Sequence, residues 1–160
     1  MSSWLLGGLT LSLVGCDQGT KQAAVDVLNR KRGLTLFPGI LDLRYTENHD
    51  TAFSMLRSFN FEGKMAMLTI GSSLSIVGVL FLWWNRRNAS WLEQSAYAML
   101  VAGGLGNILD RASRGFVVDF IHLHRWPVFN VADIAITIGM ILGLIVFARR
   151  SRAPMTMGPA

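Results

Sequence analysis

The run Met65–Trp84 is twenty residues long and carries no charged side chain. As an α-helix it would extend about 30 Å, the thickness of a bilayer's hydrocarbon core. That run narrows the fold more than any other feature. In lipid every backbone N–H and C=O must be paired internally, which leaves helices or closed barrels. Trp83-Trp84-Asn85-Arg86-Arg87 closes the run with interfacial aromatics and then cations. Val131–Ala148 resembles it, interrupted only by Asp133 and followed by Arg149, Arg150 and Arg152. Between them, "AYAMLVAGGLGNILDR" is apolar and rich in small residues. A further apolar stretch, Trp4–Cys16, is too short to span unless its helix runs on.

The reading is an all-α membrane protein, a four-transmembrane-helix bundle in one domain over residues 1–150. Spans are expected at about 4–24, 65–84, 93–110 and 131–148, with a disordered tail over 151–160. Basic clusters after the second and fourth spans place those ends, and both termini, in the cytoplasm. "NRKR" at 29–32 opposes this, but it lies on a long connection where charge bias counts for less. Within that connection Leu41-Asp42-Leu43-Arg44-Tyr45-Thr46 alternates with the period of a strand, and Pro38-Gly39 is turn chemistry. A small β element at about 34–60 is therefore expected on the outer membrane surface. Gly103, Gly104, Gly106 and the pair Gly139 and Gly143 suit close helix approach.

Composition agrees. Hydrophobic residues make up 51% of the chain and charged residues 16%, against about 25% in soluble domains. The net charge of +5 sits in short clusters beside apolar runs, and no aromatic-interleaved basic patch suggests nucleic acid. Cys16 is the single cysteine, so no intramolecular disulfide or cysteine metal site can form. His122 and His124 could ligate a metal, but no third ligand stands at useful spacing.

Ionisable residues at membrane depth are expensive and mark function. Asp17 and Lys21 are four residues apart and share a helix face, as do Asn107, Asp110 and Arg111. Asp119 follows the third span and Asp133 begins the fourth, after Asn130, so both carboxylates belong at the same outer boundary. Two neighbouring carboxylates share one proton. Such a pair can activate water and protonate a carbonyl oxygen. Structural roles also fit these residues: Asp17 with Lys21 as an ion pair, Asp110 with Arg111, and Asp133 as a helix N-terminal charge.

At these positions the sequence resembles lipoprotein signal peptidase, the type II signal peptidase of bacteria. Five blocks carry the resemblance: "DQGTK", "NHDTAFSML", "GGLGNILDR", "GFVVDFI" and "FNVADIAITIG". It implies an aspartyl endopeptidase of the bacterial inner membrane, with its site at the periplasmic leaflet. The implied substrates are diacylglyceryl-prolipoproteins, cut just before the lipidated cysteine. Asp119 and Asp133 take the catalytic places. Asn48, Asn107, Asp110, Arg111, Asn130, Asp17 and Lys21 bind substrate or support the site. The resemblance implies no metal and no cofactor, membrane lipid as surroundings, a monomer, and inhibition by globomycin-type cyclic peptides. Asp50 departs from the family's glycine, which suggests a left-handed turn and a negative charge near the dyad. A catalytically silent binder of lipoprotein precursors is the main alternative, and a small transporter a third reading.

The segment "LSLVGCDQGTK" ends an apolar run as a lipoprotein cleavage site does. Met1–Gly15 lacks the cationic start of a secretory signal, so the helix is expected to run through Cys16, leaving it a packing residue.

Overall fold

The computed structural model describes residues 3–28, 33–50 and 63–152. The elements run α1 (Ser3–Leu28), β1 (Leu34–Phe37), β2 (Leu41–Asn48), α2 (Lys64–Asn85), α3 (Trp91–Arg114), β3 (Val117–Leu123) and α4 (Val131–Ser151). α3 is the central helix and packs on α1, α2 and α4.

α2 and α4 are long and apolar enough to cross a membrane, and only 6% and 17% of their most apolar windows are buried inside the protein. A core helix of a soluble protein would be buried, whereas these expose leucine, isoleucine and phenylalanine outward. α1 and α3 fail the same test because polar residues interrupt them. The polar residues nearest the site face inward. Asp17, Lys21, Asn107 and Asp110 are all buried in the bundle.

α1 is one helix through Cys16, as expected, but Cys16 lies exposed on its outer face and is not a packing residue. The segments 29–32, 51–62 and 153–160, with the "NRKR" cluster, most of "NHDTAFSML" and the tail, lie outside the described residues.

The β element has a third strand that the alternation did not announce. The sheet order is β1-β2-β3, antiparallel throughout. β3 reads "VVDFIHL" and its first four residues are buried, so it is a short apolar run without alternation. Gly115 starts it. With φ 79° it caps α3, donates its N–H to the Arg111 carbonyl, and turns the chain from helix into strand. The sheet rests on the end of α1, where Ala24 and Leu28 bury against Val118 and Phe120.

α4 begins with a capping box. The Asn130 side chain accepts from the Asp133 N–H, and the Asp133 carboxylate accepts from the Asn130 N–H. α3 passes close to that first turn. A Cβ on Gly103 would collide with the Ala132 carbonyl oxygen and lie 2.7 Å from Ile136 Cγ1. Of the pair Gly139 and Gly143, only Gly139 meets α3; a methyl added at Gly143 would meet nothing within 4 Å among the described residues.

We expect Gly103→Ala to destabilise the protein by about 1–3 kcal/mol, because the backbone of α4 must retreat. Gly143→Ala should be neutral or slightly stabilising, since alanine favours a helix by about 1 kcal/mol over glycine. Thermal unfolding of the two variants in detergent checks the contrast.

Candidate active site

Asp119 is the third residue of β3, opposite Thr46 of β2. Asp133 sits in the first turn of α4. One asparagine joins them. Asn130 Nδ2 donates to Asp119 Oδ1 at 2.6 Å, while Asn130 Oδ1 accepts from the Asp133 N–H at 3.0 Å. Asn48 Nδ2 donates to the other Asp119 oxygen at 2.8 Å, and Asn107 Nδ2 donates to Asp133 Oδ1 at 2.9 Å. Each carboxylate is thus fixed by amides on two elements, which orients both without neutralising either.

Behind this layer lies a buried ion cluster. Lys21 Nζ stands 2.8 Å from Asp17 Oδ2 and 3.1 Å from Asp110 Oδ2, and donates to Asn107 Oδ1 at 3.0 Å. Asp17 Oδ1 accepts the Ala132 N–H at 2.9 Å, so α1 holds the first turn of α4. Asp110 Oδ2 accepts the Val118 N–H at 3.0 Å, so α3 holds β3. The two elements that carry the aspartates are therefore clamped by one charge cluster.

Structural pairing of Asp17 with Lys21 is observed. Asp110 departs from the expectation. Its carboxylate pairs with Lys21 and with Arg114 at 2.7 Å, not with Arg111. Arg111 points the other way, into the cavity, and donates to the Asp50 carbonyl at 3.3 Å. Its buried Nε has no hydrogen-bond partner among the described residues.

Asp50 also differs from its sequence reading. Among the described residues the only non-glycine with positive φ is Arg125, so Asp50 is not left-handed. Its carboxylate adds no free charge beside the dyad, because Lys64 Nζ stands 3.0 Å from it. The backbone of Asp50 makes the contacts to the site.

Two contributors were not singled out in the sequence. Gln18 Nε2 donates to the Gly106 carbonyl at 3.0 Å, tying α1 to α3. Arg114 stands four residues after Asp110, a spacing that could have revealed it. His122, whose spacing from His124 could have suited a metal, lies across the sheet from Asp42.

A cavity of about 650 Å³ opens over the two aspartates. Asn48, Asn107, Arg111, Asp119 and Asp133 form its polar end. Its long wall is apolar, with Leu68 from α2 and Ile134, Ile138 and Met140 from α4. A mostly apolar trough with convergent polar groups at one end suits an apolar peptide whose reacting bond lies at that end.

Burial pushes the Asp119 carboxyl up to about 7, and the neighbouring Asp133 adds to this. Hydrogen bonds from Asn48 and Asn130 and the charge of Lys21 pull the other way. Near neutral pH Asp119 can therefore hold or release a proton, as acid–base chemistry requires. The folded chain keeps a proton that the unfolded chain loses near 3.8. This contribution to stability is complete below 3.8 and is lost as the pH rises through about 7.

A family model described as "Signal peptidase (SPase) II" matches residues 9–149. The chain is 35% identical over 154 residues to the lipoprotein signal peptidase of Chlorobium phaeovibrioides, covering 88% of each. It is 41% identical over 130 residues to that of Thermodesulfovibrio yellowstonii, covering 79% of this chain and 82% of the relative. A bacterial membrane enzyme solved by the in meso method superposes with a TM-score of 0.87 at 25% identity, over 99% of this chain and 96% of that one.

Proposed function

This chain belongs to the signal peptidase II family of aspartic peptidases, and on that premise we propose that Asp119 and Asp133 are its catalytic pair. The protein is a membrane peptidase that removes signal peptides from lipoprotein precursors. The observation that carries the residue assignment is the buried Asn130 side chain, bonded at once to the Asp119 carboxylate and the Asp133 backbone, which sets both cavity-lining aspartates side by side.

One aspartate, as carboxylate, takes a proton from water; the other, as acid, donates to the scissile carbonyl oxygen. Attack gives a tetrahedral diol, and its collapse returns a proton to the leaving amine. Asn48, Asn107 and Asn130 hold the two carboxyls in register. Arg111, with an unpartnered Nε at the cavity among the described residues, suits a carbonyl of the bound peptide. Asp17, Lys21 and Asp110 position the strand and helix that carry the pair.

All four helices span the membrane in this reading. The buried ion cluster hides the charges of α1 and α3 from lipid. The bundle sits in the bacterial inner membrane with both termini cytoplasmic. Gln94 at the start of α3 bonds to Trp83 and to the Arg86 carbonyl, and Glu93 pairs with Arg150, so the basic ends of α2 and α4 meet at one end of the bundle. The aspartates lie at the other, periplasmic end. A cysteine anchored there by a diacylglyceryl group would bring the bond before it to the dyad's depth. The apolar trough would take the signal helix, and a globomycin-type cyclic peptide would compete for it. The chain acts as a monomer.

The test is a gel-shift cleavage assay on purified protein, with a prolipoprotein presented with and without its diacylglyceryl group. Cleavage of the modified precursor alone is the expected result. Equal cleavage of both would overturn the lipid requirement, and binding without cleavage of either would favour a silent binder.

A further inference from the structure

We propose that Lys64 is a positioning residue for the dyad, acting through Asp50 and Asn48 on Asp119. The inference rests on the reading of Asp119 and Asp133 as the catalytic pair.

Lys64 is the first residue of α2. Its ammonium lies 3.0 Å from Asp50 Oδ1, and the two side chains are only 12% and 10% exposed. The Asp50 N–H donates to Asn48 Oδ1 at 2.8 Å. An amide has one oxygen and one NH₂ group, so engaging the oxygen there turns the nitrogen toward Asp119, where it donates at 2.8 Å. The Asp50 carbonyl meanwhile accepts from Arg111. Asp50 is thus held by its charge, its N–H and its carbonyl, and Lys64 takes part in the first of these holds.

The charge arrangement at α2 fits the same role. A lysine at a helix N-terminus faces the positive end of the helix dipole and is unfavourable alone. α2 has no acidic residue in its first turn, and its cap, Gly63, supplies no side-chain hydrogen bond. The Asp50 carboxylate provides the missing negative charge. Leu68 and Ser72 stand four and eight residues beyond Lys64, on the same helix face, and line the cavity. The ion pair therefore ties the wall of the trough to the strand that orients Asp119.

The charged groups that face Asp119 are Asp133 from α4, Lys21 from α1 and Arg111 from α3. Lys64 pairs with Asp50, whose N–H engages Asn48, and this is the route by which it acts on Asp119. A hydrogen bond to a carboxylate favours the anion, so loosening Asn48 raises the pH at which Asp119 gives up its proton.

The experiment measures kcat, KM and the pH–rate profile of the full-length protein on diacylglyceryl-modified prolipoprotein. Lys64→Gln should lower kcat about tenfold, the effect of one misplaced charge-assisted hydrogen bond. It should move the limb assigned to Asp119 to higher pH, and Lys64→Arg should restore the profile. Asn48→Ala should shift the limb the same way, and adding Lys64→Gln to it should shift it no further. A wild-type profile for Lys64→Gln, or additive shifts in the double variant, would overturn the proposal. If Lys64→Gln does not fold, Asp50→Asn, which keeps the backbone donor, must give the same shift or the proposal fails. Asp119→Asn in the same assay separates the two readings. Activity there removes the dyad assignment itself, whereas an inactive Asp119→Asn beside an unshifted Lys64→Gln removes only the role of Lys64.

Discussion

Asp119→Asn and Asp133→Asn, made singly, will each abolish prolipoprotein cleavage while leaving the protein folded. General acid–base catalysis contributes about 10²–10⁴-fold per group. Here each carboxyl also serves the other's protonation, so removing one disables both halves of the exchange. A loss of at least about 10³-fold is expected in either variant. The amide keeps the carboxyl's shape and can still accept from Asn130 or Asn107, so the surrounding network persists. For Asp119 there is a second readout. Its carboxyl is pushed up to about 7 by burial, which makes folding stability fall as the pH rises toward that value. Asp119→Asn cannot titrate, so its unfolding temperature should vary less than that of the wild type across this range. Substantial cleavage by either variant would remove the dyad assignment, whatever the stability data show.

Lys21→Met will have the largest effect on stability. Lys21 is fully buried, with the carboxylates of Asp17 and Asp110 at 2.8 and 3.1 Å. Removing one partner of a buried ion pair typically costs about 3–5 kcal/mol; here Asp17 is left with neither water nor a counter-ion, while Asp110 keeps Arg114. Whole domains are stable by only about 5–15 kcal/mol, so the variant should unfold at a much lower temperature or fail to accumulate. Adding Asp17→Asn should recover part of the loss, since it removes one stranded charge and keeps an acceptor for the Ala132 N–H. The surface pair Arg44–Asp42 gives the comparison. Arg44 is 53% exposed, and such a pair is worth about 0–1 kcal/mol, so Arg44→Ala should hardly move the unfolding temperature. Equal shifts for Lys21→Met and Arg44→Ala would show that the cluster does not hold the bundle together.

Much of the site was readable because its information is local. Hydropathy over twenty residues marks a span, and a separation of four marks a shared helix face, so the lines of α2 and α4 and the pairing of Asp17 with Lys21 need no tertiary knowledge. The order of blocks around Asp119 and Asp133 carried the family resemblance, and the family match agrees with it. The third strand was less legible because a buried strand and a buried helix segment look alike over a mostly apolar run of seven residues. Asp110 shows the same limit. Arg111 is its neighbour in the chain, yet successive helical residues point about 100° apart, and the carboxylate turns to Lys21 and Arg114 instead.

By itself, then, the sequence determined that the chain lives in a membrane, where its long apolar helices fall, and which ionisable residues share a helix face. Those properties follow from residue type and spacing along one element. Only the tertiary structure decided that β3 joins the sheet, that Asn130 bridges Asp119 to the first turn of α4, and that the charge of Asp50 is answered by Lys64. The physical reason is that hydrogen bonds and ion pairs act over about 3 Å. Partners such as Lys21 and Asp110, or Asn48 and Asp119, come within that reach only when close helix contacts, such as the one at Gly103, bring distant parts of the chain together.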